Sequence, residues 1–586
     1  MDDKFPLRPL LGSSISRRQL LGKARDSLAG LAVASVLVGC EVDADSASLD
    51  GTHPNPFLHG VASGDPLTDS VILWTRVTTS RYDAVPVTWR LARDPNLQDI
   101  VATGEALAVD EHDYTVHIDP GGLEAGSVYY YQFSALGHDS AIGRTRTAPS
   151  GHIERLRLAF CSCSSYSHGF FNAYRALANR RDIDAVLHLG DYIYEYGPGQ
   201  YASDRMENDG RIVEPGHDIV QLQDYRTRYA QYRLDPDLQA VHQQHPFIAI
   251  WDDHESANDS WMHGAENHDE QTQGRWEVRR AIAEKVFHEW LPIRPYAADH
   301  YQRIYRSFRF GDLVDLFMLD TRLYGRDEPA HRIPIDARTL QDPNRQMLGA
   351  EQESWLEHGL YSSNCTWKLI GQQVMFAQLN LLPALPILSN LMDRTKLIGP
   401  IVGAMPLVGN LISGDGQLLN VDQWDGYPAA RARVMNMLAN IDNPIVLSGD
   451  IHTSWANELT PTPNNRVRYS PITGRGSIGV EFITPSITSP GLGILDPVAD
   501  SLRVVNPHIK YVDLRRHGYV LLDITHERTQ AEWWYIDTLY QRSATEYFGK
   551  AFTVTAGSPV LATSRQVTQA RPDAPPLAPM TPRTTT

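Results

Sequence analysis

Four short apolar runs in this chain each end on side chains that bind metals, and that coincidence constrains the fold more than any bulk property. The run 156–160 leads into Cys161, Ser162 and Cys163, and the run 185–189 leads into Gly190, Asp191, Tyr192, Ile193 and Tyr194. The run 247–251 leads into Asp252, Asp253, His254 and Glu255, and the run 444–447 leads into Ser448, Gly449, Asp450, Ile451 and His452. Apolar runs of this length predict buried strands. In open α/β sheets, ligands gather outside the carboxyl ends of the strands. Four such ends would bring Cys, Asp, Tyr and His together from distant parts of the chain. The pattern predicts a metal centre, and with it an enzyme.

Each residue type suits that task in its own way. A carboxylate at a strand end, Asp191, can give one oxygen to each of two metals. Tyr194, three residues on, can reach the same ion as a phenolate, which favours a hard trivalent metal such as Fe(III). Asp450 and His452 are separated by one residue, so in an extended turn they point the same way and can serve neighbouring ions. Asp253 adds a hard oxygen and Cys163 a thiolate. Taken singly, an Asp after a strand is more often a turn residue, and a buried Cys is more often a small hydrophobe. The four segments together are far more specific than any one of them.

Bulk properties exclude some functions. A net charge of -17 argues against a general nucleic-acid-binding surface, but not against a phosphate substrate, because bound cations reverse the local field. Only 4 cysteines are present, too few for a disulfide-stapled fold. A length of 586 residues predicts two or more domains.

Ser16, Arg17, Arg18, Gln19, Leu20 and Leu21 form a twin-arginine export motif, followed by an apolar stretch at 28–39 that is too short to span a bilayer comfortably. That stretch ends at Leu37, Val38, Gly39 and Cys40, a lipobox-like sequence in which Cys40 would be lipidated and hold the protein to a membrane; an ordinary cleaved signal is the alternative. The expected location is therefore outside the cytoplasm: periplasmic, lipid-anchored or secreted. Residues 41–54 read as a linker. From 55 to 150 the texture is all-β, with predicted strands at 71–74, 86–91, 114–118 and 128–133, suggesting a fibronectin- or immunoglobulin-like β-sandwich. From 155 to 540 strands alternate with helical stretches such as 174–179 and 274–290, which predicts a layered α/β domain. Residues 564–586 are rich in Pro and Thr and predict a disordered tail. The stretch 379–409 is apolar but interrupted by Pro383, Pro386, Pro400 and Pro406; buried short helices are the first reading and an apolar flap the second.

The order of the four segments resembles the calcineurin-like metallophosphoesterase superfamily, whose usual blocks are Asp-x-His or Asp-x-Gly, Gly-Asp, Gly-Asn-His-Glu and Gly-His-x-His. The chain departs at Cys163, at Asp252-Asp253 and at Asp450, and those departures resemble the alkaline phosphatase D (PhoD-type) family. Further matches are 60–66, 73–76, 422–428 and 506–508. The resemblance implies an αββα sandwich preceded by a fibronectin-like β-sandwich, with Fe(III) and Ca(II) as cofactors and other divalent metals as substitutes. It implies iron held by Cys163, Asp191, Tyr194 and His452, and calcium held by Asp191, Asp253 and Asp450. Cys163, not Cys161, fits the family's Phe-x-Ser-Cys pattern. The implied activity is hydrolysis of phosphomonoesters or phosphodiesters by a metal-activated hydroxide, with a phosphate ester as the partner and the oligomeric state left open. Within that mechanism His254 would stabilise phosphoryl charge or protonate the leaving group. Asn258 would contact phosphate or metal. Arg322 would clamp a phosphate oxygen, a structural ion pair being the equal alternative. A phospholipase D-like diesterase is the alternative that the apolar 379–409 stretch keeps open. A surface-binding protein with an inactive enzyme domain is a second alternative, against which the complete ligand set argues.

Overall fold

The computed structural model describes residues 55–580, except 81–82, 296–300, 331–336, 380–420, 494–495 and 497–498. The twin-arginine motif, Cys40 and all but the first residue of the apolar 379–409 stretch lie outside the described residues.

The first eight strands are β1 (Val61–Gly64), β2 (Ile72–Arg76), β3 (Val85–Ala92), β4 (Ile100–Ala108), β5 (Thr115–Ile118), β6 (Val128–Ala135), β7 (His138–Asp139) and β8 (Gly143–Arg146). They are followed by β9 (Leu156–Cys161), β10 (Ala185–His188), β11 (Pro246–Ala249), β12 (Arg306–Phe310), β13 (Val314–Met318), β14 (Trp367–Gly371) and β15 (Pro444–Ser448). The last are β16 (Ser454–Leu459), β17 (Gly479–Ile483), β18 (Ile509–Asp513), β19 (Gly518–Ile524), β20 (Arg528–Ile536), β21 (Glu546–Thr555) and β22 (Ser558–Ser564). The longer helices are α1 (Asn172–Ala178), α2 (Leu222–Arg233), α3 (Pro236–Gln244), α4 (Trp276–Trp290), α5 (Ala350–Ser362) and α6 (Pro428–Ala439). Helix α3 shows how sequence sets a boundary. Asp235 caps it by accepting from the Asp237 N–H at 2.9 Å, and Pro236 takes the first helical position, where no N–H is needed.

Two sheets face each other in an αββα sandwich. One has ten strands in the order β22-β21-β20-β19-β9-β10-β11-β1-β2-β5; the other has seven in the order β12-β13-β14-β15-β17-β16-β18. Strands β9, β10, β11 and β1 run parallel, as do β13, β14, β15 and β17. Strands buried on both faces need apolar residues at every position, and the alternation is visible in the second sheet. Leu316, Leu369, Ile445 and Leu447 enter the core shared with Leu158, Leu187 and Ile248. Phe317, Ile370 and Val446 point the other way, against Leu356 and Leu360 of α5 and Val434 and Leu438 of α6.

The β-rich N-terminal region is not a separate bead. A five-stranded sheet (β3, β4, β6, β7, β8) packs on β1, β2 and β5 around Val61, Leu73, Val87, Val116, Tyr131 and Phe133. Those three strands are themselves the edge of the ten-stranded sheet, because β1 pairs with β11 at Ser63–Pro246 and Gly64–Phe247. All described residues belong to one unit. The motif at 60–66 makes this joint. A side chain at Gly64 would meet the Pro292 carbonyl at 2.3 Å and the Phe247 carbonyl at 2.5 Å. Asp65 accepts a bidentate pair from Arg306 at 2.7 and 2.9 Å.

The expected disordered tail is corrected as far as Met580. Strands β21 and β22 extend the ten-stranded sheet, and the following segment straps across the molecule. Arg571 pairs with Asp184 at 2.6 Å, the Gln244 amide donates to Ala578 O at 3.1 Å, and Tyr130 donates to Pro576 O at 2.6 Å. The strap thus joins the N-terminal strands to α3 and to the start of β10. Truncation after Ser564 is expected to lower the thermal midpoint by several degrees, measured by calorimetry on the otherwise intact protein. An unchanged midpoint would show that the strap contributes nothing.

Candidate metal centre

The carboxyl ends of four parallel strands meet at one end of the sandwich. β9 delivers Cys163, β10 delivers Asp191 and Tyr194, β11 delivers Asp252, Asp253 and His254, and β15 in the opposite sheet delivers Asp450 and His452. To place side chains inward, the backbone turns sharply at each end. Cys163, Asp191, Asp450 and His452 have φ of 63°, 54°, 61° and 58°. Left-handed backbone costs an L-residue roughly 1–2 kcal/mol, and Asp and His tolerate it better than most. Gly190 (φ 104°) has no such freedom to spare. A Cβ there would lie 2.3 Å from Asp252 Cβ. Glu255 fixes the loops to each other, accepting the backbone N–H of Asp191 at 3.0 Å and of Asp252 at 2.7 Å.

Three overlapping groups of ligand atoms result, each within 4.8 Å: Cys163, Asp191 and His452; Asp191, Asp253 and His254; Asp252, Asp253 and Asp450. Asp191 and Asp253 each belong to two groups, as bridging or neighbouring ligands of a paired centre would. Tyr194 closes the first group. Its hydroxyl donates to Asp191 Oδ2 at 2.8 Å, lies 3.2 Å from His452 Nε2 and accepts from Ser489 at 2.6 Å. His452 Nδ1 sits 3.0 Å from Pro490 O, which fixes the proton on Nδ1 and leaves Nε2 as a lone-pair donor.

The donor set fits cations. Asp191 Oδ1, Asp252 Oδ2 and Asp253 Oδ1 are buried without a hydrogen-bond partner, and such atoms require compensation. Burial and the neighbouring carboxylates push Asp252 and Asp253 upward, although Arg322 opposes this, and Asp450 rises to about 6. Burial and Asp191 push the Cys163 thiol and the Tyr194 phenol well up. Asp191 is the exception. Burial raises it, but the charge of His254 and the hydrogen bond and charge of His452 outweigh that and hold it at about 2. A bound cation would favour the ionised form of every one of these groups.

Some expected site residues stand elsewhere. Arg322 is fully buried and its guanidinium is committed to carboxylates. Nε donates to Asp252, one terminal nitrogen to both oxygens of Asp422 at 2.8 and 2.7 Å, and the other to Asp450 at 2.8 Å. Those contacts are ion pairs to carboxylates of the centre itself. The Asn258 side chain donates to Glu266 at 2.6 Å, while its backbone N–H donates to Glu195 at 2.7 Å. Cys161 lies within β9 in the main core, apart from the three groups. His254 belongs to the second group. Its Nδ1 lies 2.7 Å from Glu195 Oε2, while Glu195 Oε1 accepts from Asn267, and rings of Tyr194, Tyr196 and Tyr201 surround it. Burial opposes its charge, but Glu195, Asp253 and Asp191 prevail and raise its pKa well above the ordinary value.

Sequence reasoning missed Asp252, Asp422 and Glu195. Asp252 was masked by its neighbour Asp253. Glu195 directly follows Tyr194, and Asp422 opens the 422–428 match, but neither ends an apolar run.

The proton balance of the centre sets a pH dependence. Asp450 at about 6 and Glu255 at about 8 both lie above unfolded carboxylates, so metal-free native protein holds protons that the unfolded chain has released. Its stability should therefore be fully present at about pH 4 and fall as the pH rises through 6 to 8. Asp191 acts oppositely, at lower pH: its contribution is lost as pH falls from about 4 to about 2. Thermal unfolding of chelator-treated protein across this range checks both limbs, and metal addition should cancel the loss above pH 6.

Comparison with known proteins agrees with this geometry. Residues 158–533 match the family model described as PhoD-like phosphatase, and residues 44–149 match the N-terminal domain of PhoD-like phosphatase. The chain is 36% identical over 552 residues to alkaline phosphatase D of Bacillus subtilis (strain 168), covering 89% of this chain and 84% of that protein. The solved structure titled "Structure of PhoD" superposes with a TM-score of 0.75 at 33% identity, covering 88% of this chain and 94% of the other. The chain belongs to the PhoD-like phosphatase family and is a phosphoesterase.

Proposed function

We propose that this phosphoesterase is an exported enzyme that hydrolyses phosphomonoesters or phosphodiesters with Fe(III) and Ca(II) at the centre described above. Cys163, Asp191, Tyr194 and His452 would hold the iron. Asp191, Asp253 and Asp450 would hold the calcium, and Asp252 joins that set because its Oδ2 is a third buried oxygen without a hydrogen bond. The observation that carries the reading is this convergence of buried oxygens without hydrogen bonds beside one thiol, one phenol and one imidazole. Metal ions there supply a water of lowered pKa and Lewis-acid polarisation of phosphoryl oxygens.

The chain's own residues do the rest. Asp191 stays ionised at neutral pH and spans both ligand groups. Arg322 positions Asp252, Asp422 and Asp450 and offsets their repulsion. Asn258 holds Glu195 through its backbone. Glu195 orients His254 and keeps it protonated, so His254 is the residue suited to give a proton to the leaving oxygen. Tyr196 and Tyr201 wall its ring.

Export is supported by the twin-arginine motif, with Cys40 as the lipidation site. Among the described residues no helix is long and apolar enough to cross a membrane.

Four substitutions test the assignment. Asp191→Ala should remove metal and activity together, read by elemental analysis and turnover. Cys163→Ser should lose iron and any tyrosinate-to-iron colour while Cys161→Ser keeps both; the reverse would assign the wrong thiol. His254→Gln should lower kcat by about 10²–10⁴ for alkyl esters and much less for aryl esters, whose leaving groups need no proton. Equal losses on both would remove the general-acid role.

A further inference from the structure

We infer that His152, Asp312 and His526 form a second metal site, for a divalent transition ion such as zinc, at the opposite end of the sandwich from the catalytic centre. His152 precedes β9, Asp312 precedes β13, and His526 lies between β19 and β20, where Ile524 pairs with Leu156 at the amino end of β9. The catalytic ligands follow the carboxyl ends of β9, β10, β11 and β15. The two groups therefore share no residue and no loop.

The three ligand atoms lie within 4.8 Å of one another. The Asp312 carboxylate bridges one nitrogen of each ring, with Oδ2 2.8 Å from His152 Nδ1 and Oδ1 3.4 Å from His526 Nε2. The imidazoles stack with centroids 4.9 Å apart and planes 13° apart. Ligands on a tetrahedral ion at about 2.05 Å stand about 3.3 Å from each other, so the His152–Asp312 contact would open by about 0.5 Å to share an ion. Two imidazoles and a carboxylate, with solvent at the fourth position, form a set that zinc accepts.

The scaffold holds these residues from behind. The Gly311 N–H donates to Pro149 O at 3.0 Å, and the Asp312 N–H donates to Gly151 O at 2.9 Å. The Ile153 N–H donates to Asp312 Oδ1 at 3.2 Å, and the Thr366 N–H donates to Asp312 O at 3.1 Å. His526 Nδ1 lies 2.6 Å from Thr366 Oγ1, the kind of contact that fixes the tautomer presenting Nε2 to a metal. Nε2 also lies 3.1 Å from Ile153 O; for an ion to bind there, the imidazole proton moves to Nδ1, where Thr366 Oγ1 accepts it. Both His152 and Asp312 are exposed, so an ion reaches the site directly from water. An ion there would tie the 147–155 segment, which links the N-terminal strands to β9, to both sheets at once.

The test uses full-length protein with its catalytic centre loaded and excess metal removed. Zinc is titrated calorimetrically, and cobalt(II) serves as the optical probe for low coordination number. Wild type should bind one more equivalent than the His152→Ala/His526→Ala double variant, and Asp312→Asn should weaken that equivalent at least tenfold. The extra equivalent should raise the thermal midpoint of wild type only, with turnover of a small aryl phosphate equal in all three. Identical stoichiometry and affinity in wild type and double variant would overturn the site and leave a surface ion pair. The single variants His152→Ala and His526→Ala, read the same way, keep the test decisive if the double variant folds poorly.

Discussion

The structure depends on containing mutual repulsion among buried carboxylates. Asp191, Asp252, Asp253, Asp422 and Asp450 gather at one end of the sandwich against two buried guanidinium groups, Arg322 and Arg326. Two like charges about 4 Å apart repel by about 4 kcal/mol at an effective dielectric of about 20. The repulsion of each such pair exceeds the roughly 1–2 kcal/mol of one left-handed residue. Arg322 offsets part of it by reaching three carboxylates at hydrogen-bonding distance, but it leaves Asp191 Oδ1, Asp252 Oδ2 and Asp253 Oδ1 without a donor. The remaining deficit is one that cations fill.

The fold supplies rigidity in proportion. Ligands come from strand ends in two facing sheets, so they are fixed by hydrogen-bonded ladders and by a core packed from both sides. Position is then refined by short contacts: Gly190 against Asp252, and the Glu255 carboxylate under the backbone of two loops. His254 is held differently, by a chain of side chains running through Glu195 to Asn267 and the Asn258 backbone. This separation suits the proton-donor role proposed for it. Metal ligands must keep their spacing, whereas a proton donor needs its charge maintained and its ring oriented.

Strand ends were the legible part of the sequence because burial on both faces demands uninterrupted apolar runs, and a ligand following such a run stands out. β9, β10, β11 and β15 fell close to their expected spans for that reason. β4 went unread because most of its positions are at least partly exposed and its pattern is weak. Arg322 and Asp422 could not be paired from sequence, since an ion pair across distant segments leaves no local pattern. The tail was misread because proline-rich composition signals poor helix and strand formation, which is not the same as disorder. Proline carbonyls still accept hydrogen bonds; Pro572, Pro576 and Pro579 do so from Arg181, Tyr130 and Gln243. The donors are supplied by the rest of the molecule, which composition of the tail cannot reveal.

The N-terminal strands matter to the centre through one edge. β11 ends at the loop carrying Asp252 and Asp253, and its outer neighbour is β1. Without β1, the backbone groups of β11 would face water as an open edge, a state that sheets avoid. Arg306 reinforces the joint by binding Asp65, which follows β1, and the Ala249 carbonyl at the end of β11. One guanidinium therefore touches both the N-terminal strand and the residue from which the acidic loop departs. A disturbance at Gly64 or Asp65 would be felt first at the last hydrogen bonds of β11, and then at the spacing of Asp252 and Asp253. In that sense the β-rich N-terminal region supports the strand from which the acidic loop departs.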